Sequence, residues 1–133
     1  MAKELIALGA RSVIGMVHCL PLPGSFGYAG DMEKILSQAV QDAQTLEKAG
    51  ADAIIVENMG DTPFTAKLNK AQIAALAAAA RKVADAVSIP VGVDAAFNDY
   101  EASLSIAAPA GATFIRVPVF VDTVVFTDGI IYP

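Results

Sequence analysis

Four polar side chains interrupt runs of the sequence that are otherwise apolar. His18 closes "VIGMVH", Glu57 follows "AIIV", Asp94 follows "VGV", and Arg116 falls inside "TFIRVPVF". A charge within such a run is costly unless it is paired or used. Glu57, Asp94 and His18 have the chemistry of proton donors and acceptors, and Arg116 that of a bidentate clamp for a carboxylate or phosphate. Structural readings stand beside these. His18 could bond a loop carbonyl, and Asp94 with Arg116 could form an internal ion pair between neighbouring strands. In either case Asp94 and Arg116 should be close in space. Neighbouring residues of a strand face opposite ways, so of the adjacent His18 and Cys19 the histidine is expected at the site and the cysteine in the core. Glu57 and Asn58 open a loop containing Gly60, Asp61 and Pro63, where Asp61 is suited to shaping the turn. A divalent metal on Glu57, Asp94 and Asp122 has no spacing motif behind it, so no metal is assigned.

The elements that must position these residues alternate. "SVIGMVHC", "ADAIIVEN", "IPVGVDAA" and "TFIRVPVFV" read as four short strands. Between them, "DMEKILSQAVQDAQTLEKAG" carries Ile35, Leu36, Ala39, Val40, Ala43 and Leu46 at helical spacing, with Gly50 placed to end the helix. "NKAQIAALAAAARKVADAV" has Asn69 and Gln72 in capping-box positions, and "NDYEASLSIAA" has Asn98 and Glu101 at the same spacing. Pro109 should stop the third helix near Ala108, because proline lacks an N–H and clashes with the carbonyl four residues back. Strands alternating with helices imply parallel pairing through right-handed crossovers, an α/β chain of βαβ units in a single domain over residues 1–133. The helix-to-strand links are short. The first two strand-to-helix loops, "LPLPGSFGYAG" and "MGDTPFTAKL", are long, so ligand binding is expected at the carboxyl ends of the strands.

Composition narrows the function classes. Hydrophobic residues make up 55% and charged residues 17%, which suits strands covered on both faces and excludes disorder. The net charge of -5, with scattered Lys and Arg, argues against a nucleic-acid partner. A single Cys forms no internal disulfide and points to a reducing, cytoplasmic compartment. The uncharged run from Ser12 to Gly30 is broken by His18, Pro21, Pro23 and glycines. It is read as neither a membrane span nor a signal, leaving only peripheral membrane contact open.

The segments "IGMVHCLPLPGSFGY", "DAIIVENMGDTPF", "IPVGVDAAFNDYEASLSIA" and "GATFIRVPVF" together resemble the BtpA family, over about Val13 to Ile131. The resemblance implies a (β/α)8 barrel, in a family founded on a factor for photosystem I reaction-centre biogenesis. Its spread to archaea and non-photosynthetic bacteria implies an older small-molecule enzyme activity, nucleosidase- or lyase-like, with cofactors unknown. His18, Pro21, Pro23, Gly24, Glu57, Asn58, Asp61, Asn98, Asp99 and Arg116 match the family pattern. His18, Glu57 and Asp94 are the expected catalytic residues, and Asn58, Asp61, Asn98 and Arg116 the expected substrate ligands. Three positions depart from the pattern: Asp94 replaces a usual Asn, Pro118 replaces a frequent Asn, and Pro109 replaces Ala.

A full barrel of this kind needs roughly 250 residues. The sequence is therefore read as its N-terminal half, either a fragment, with or without activity, or half of a homo-oligomeric assembly. Two functions follow as expectations. The first is an acid–base enzyme acting on a small anionic metabolite. The second is a non-catalytic assembly factor whose exposed Leu20, Leu22, Phe26 and Tyr28 meet photosystem proteins or a membrane surface, with peripheral thylakoid association in a photosynthetic host.

Overall fold

Each apolar run forms a strand and each amphipathic stretch a helix in the computed structural model, which describes residue 9 and residues 11–133. The order is β1 (Ile14–His18), α1 (Met32–Lys48), β2 (Ala53–Glu57), α2 (Lys70–Ala86), β3 (Val91–Asp94), α3 (Tyr100–Ala110) and β4 (Phe114–Ile115). The four strands lie in one sheet in the order β1-β2-β3-β4, every neighbouring pair parallel. This is the arrangement of half a (β/α)8 barrel.

Local chemistry sets the helix ends. Asp31 caps α1 by accepting from the Lys34 N–H, and Asn69 and Gln72 form the reciprocal capping box of α2. Gly50, at φ +92°, closes α1 in a Schellman motif: its N–H bonds the Glu47 carbonyl and that of Ala51 bonds Leu46. Among the described residues no helix is long and apolar enough to cross a membrane.

The strands are two-sided. Val17, Val56 and Val93 are in register, fully buried, and packed with Ile35, Ala39, Leu76, Ala79, Val83 and Ile106 of the helices. Alternation sends the next row, His18, Glu57 and Asp94, to the opposite face. On that face the Phe114 ring lies over Gly92, where an added Cβ would stand 2.4 Å from it.

Two expectations about the third helix are corrected. It runs to Ala110 with Pro109 inside it, two residues beyond the expected stop at Ala108. Pro109 cannot donate to the Ser105 carbonyl four residues back, yet the helix carries on for one residue past it, and Gly111, at φ +71°, closes the helix with bonds to Ala108 and Ala107. Nor do Asn98 and Glu101 form a capping box. Asp99 is the N-cap, accepting from Ala102, while Asn98 turns to a later loop and Glu101 pairs with Lys67.

The fourth strand is shorter than its sequence suggests. The Thr113 and Arg116 N–H groups continue the ladder to Val91 and Val93, and Pro118, which has no N–H to give, follows directly. Beyond it lies an unexpected antiparallel hairpin, β5 (Val124–Phe126) and β6 (Gly129–Ile131), turning at Thr127-Asp128. Gly129, at φ +138°, follows the two turn residues and opens β6 opposite Phe126.

Candidate functional site at the carboxyl edge of the sheet

Parallel register brings the four interrupting residues into one row. His18 pairs with Glu57, and Glu57 with Asp94, as direct cross-strand neighbours. Arg116 extends the row from the end of β4, its N–H bonded to the Val93 carbonyl. His18 Nε2 lies 3.3 Å from Glu57 Oε2, and Arg116 Nη1 lies 3.3 Å from Asp94 Oδ2. The outer members, His18 and Arg116, are half-exposed, whereas Glu57 is 4% and Asp94 0% exposed.

Asp94 is the anomaly. Neither carboxylate oxygen makes a hydrogen bond, since the Arg116 contact is close but not aligned as one. Burial pushes its carboxyl up to about 7, and the neighbouring Glu57 pushes the same way against the smaller opposing pull of Arg116. The row thus holds a carboxylic acid that titrates near neutrality, a second carboxylate beside it, an imidazole and a guanidinium. That set can donate a proton, accept one and hold an anion.

The loops behind the row are fixed by buried polar contacts. Cys19 faces the core, where burial, reinforced by Asp61, Asp42 and Glu57, raises its thiol to about 12. The Gly60 N–H donates to the Cys19 carbonyl at 3.1 Å, and the two loops approach so closely that a Cβ at Gly60 would meet the Cys19 oxygen at 2.7 Å. Asn58 and Asp61, expected to bind substrate, turn their polar atoms to the protein. Asp61 accepts from the Leu22 N–H, Asn58 Nδ2 and Gln72 Nε2, and Asn58 Oδ1 accepts from the Ala96 N–H at 2.6 Å. Asn98 likewise exchanges hydrogen bonds with the backbone of Val119. Asp122 sits in the exposed loop after β4 at φ +69°. Among the described residues no three His, Cys, Asp or Glu side chains are grouped to hold a metal.

A family model described as the BtpA family matches residues 9–133. The chain belongs to the BtpA family. It is 49% identical over 125 residues to an uncharacterized protein of Pyrococcus abyssi, covering 93% of this chain and 48% of the relative. A Methanocaldococcus jannaschii protein, also uncharacterized, is 43% identical over 122 residues, with 91% and 46% covered. The photosystem I biogenesis protein BtpA of Synechocystis is 38% identical over 120 residues, with 90% and 42% covered. The chain spans about half the length of the curated relatives it matches.

Within this member of the BtpA family, several contacts were not anticipated. Gln72 serves in the α2 capping box, and its amide also donates to the buried Asp61. Lys67 bridges Asp99 and Glu101 at 3.3 and 2.7 Å, joining the second and third strand-to-helix loops. Phe64, Phe97 and Phe126 cluster, and the Asp128 carboxylate accepts from the Phe64 N–H, docking the hairpin on those loops. These residues are far apart in sequence, and no local pattern links them.

Proposed function

We propose that the row at the carboxyl edge of the sheet binds a small anionic metabolite and exchanges protons with it, in a bond cleavage of the lyase or nucleosidase kind. The observation that carries this reading is Asp94, a fully buried carboxyl with no hydrogen bond to either oxygen. Such a group is expensive to keep unless something uses it. In this reading Arg116 holds the substrate's carboxylate or phosphate. Glu57 or His18 takes a proton from the substrate in an elimination, or from the attacking water in a hydrolysis, and Asp94, titrating near 7, returns one to the leaving group. Asn58, Asp61 and Asn98 support it by fixing the loops that carry these groups.

The test is a thermal-shift screen with a library of phosphate- and carboxylate-bearing metabolites, since a ligand that binds the native state raises its melting temperature. At least one anion should raise it, Arg116→Met should abolish the rise, and Glu57→Gln should keep the rise but lose turnover of that compound. A rise that survives Arg116→Met, or full turnover by Glu57→Gln, overturns the assignment.

A second reading draws on the name of the Synechocystis relative, a photosystem I biogenesis protein. Exposed apolar side chains favour a binding role, but they are not the ones expected from sequence. Leu22 is fully buried, and Leu20 and Tyr28 pack against the core. Phe26 alone of that set is exposed, at 96%, joined by Phe120 at 78% and Val125 at 76%. On this reading, replacing Phe26, Phe120 and Val125 with Ser weakens membrane or protein association and leaves metabolite binding intact. Unchanged association removes it.

A further inference from the structure

Beside the acid–base row lies a pocket that the proposed function does not use. It has a volume of about 360 Å³ and forms where the loops after β2 and β3 meet the β5-β6 hairpin and the residues following it. None of His18, Glu57, Asp94 or Arg116 lines it. Five of the chain's nine Phe and Tyr side chains do: Phe64, Phe97, Tyr100, Phe126 and Tyr132.

The rings are arranged as a platform. Phe97 and Phe126 stack with centroids 4.4 Å apart and planes 22° from parallel, and Phe64 stands 6.3 and 6.4 Å from them. All three are only half-buried, so ring surface remains accessible in a concave site. Such surface favours an offset-stacked partner with its own π face over a saturated group of equal size. The charged side chains lining the pocket are already engaged. The Lys67 ammonium is held by Asp99 and Glu101 and lies 5.3 Å from the centre of the Tyr100 ring, while Asp128 accepts from the Phe64 N–H. That arrangement suits an uncharged ligand. The volume is at the small end of ligand sites, room for a single ring system.

We infer that this pocket is a binding site for an uncharged planar aromatic or heteroaromatic ring of one or two fused rings. The inference does not rest on the acid–base reading, and either can fail without the other.

Ligand-observed NMR titrations of the chain with indole, adenine and cyclohexanol test it. The protein has no Trp, so indole fluorescence gives an independent signal. Indole and adenine should saturate with a Kd below about 1 mM, and cyclohexanol should bind about tenfold more weakly or less. Phe97→Leu keeps apolar volume but removes the flat face, and Tyr132→Ala alters an exposed side chain that folding does not need. Each should weaken indole by roughly fivefold or more while circular dichroism stays native. Three results overturn the site: no saturation by indole or adenine, equal binding of cyclohexanol, or parental indole affinity in a folded Tyr132→Ala.

Discussion

Asp94 and Glu57 are adjacent carboxyls on adjacent strands, yet only Asp94 is wholly shut off from water and without a hydrogen bond. Its raised pKa makes a prediction about stability. Between the ordinary carboxyl value and about 7 the native state keeps a proton that the unfolded chain has released. Stability contributed by the protonated form is therefore complete below about pH 4 and is lost as pH rises through about 7, at no more than roughly 1.4 kcal/mol per pH unit. Asp94→Asn removes that proton and should flatten the urea-denaturation profile between these limits, leaving the variant more stable than the parent at about pH 8. A parallel pH profile in the two proteins would show that Asp94 does not hold a proton at neutrality. The neighbouring Arg116 gives the opposite sign, because it favours the ionised form. Arg116→Met should push the carboxyl higher still and extend the loss of stability to higher pH.

At the scale of elements, the site depends on how the first two strand-to-helix loops are locked together. Asp61 is the pin, with three donors from three segments converging on one buried carboxylate. Asp61→Ala leaves the Leu22 N–H and the Asn58 and Gln72 amides without their acceptor, and should cost more than about 3 kcal/mol by urea denaturation. Gly60→Ala drives a methyl into the Cys19–Pro21 backbone and should cost about 1–3 kcal/mol. A cost below about 0.5 kcal/mol for either would mean that the loops part easily. This is also where legibility in the sequence ends. The βαβ order, the α1 and α2 ends and the row of polar residues were readable because each depends on local pattern: period, cap, and a charge inside an apolar run. Parallel register then did the rest, since aligned strand ends put His18, Glu57 and Asp94 side by side. The partners of Asp61, Asn58 and Asn98 were not readable, because a polar residue in a loop has many candidate acceptors and donors and only the fold selects among them. Leu22 was misassigned for the same reason. In a loop of alternating Pro and Leu no period tells which side chain turns inward, and here Leu22 turns into the core while Phe26 stays in water.

At the scale of the whole molecule, the described sheet has β1 at one end and β4 at the other, parallel strands whose outer backbone groups are not paired within it. Closed barrels have no such edges, and open parallel sheets are usually covered on both faces. The helices cover one face here. The other presents Ile14, Met16 and Phe114, each half-buried, beside the polar row. The hairpin adds Val125 and Ile130, cross-strand partners that are both exposed. We propose that apolar surface of this kind, together with the two edges of the described sheet, is covered in solution by a second copy of the chain. The expected outcome of size-exclusion chromatography with light scattering is thus a mass above that of the monomer at micromolar concentration. Met16→Lys, which sets a charge on the face away from the helices and at the β1 edge, should shift the population toward monomer without loss of helical circular dichroism. If the parent chain is a single monomeric species across that range, the two edges are tolerated by the fold as it stands, and pairing of copies has no part in completing the site.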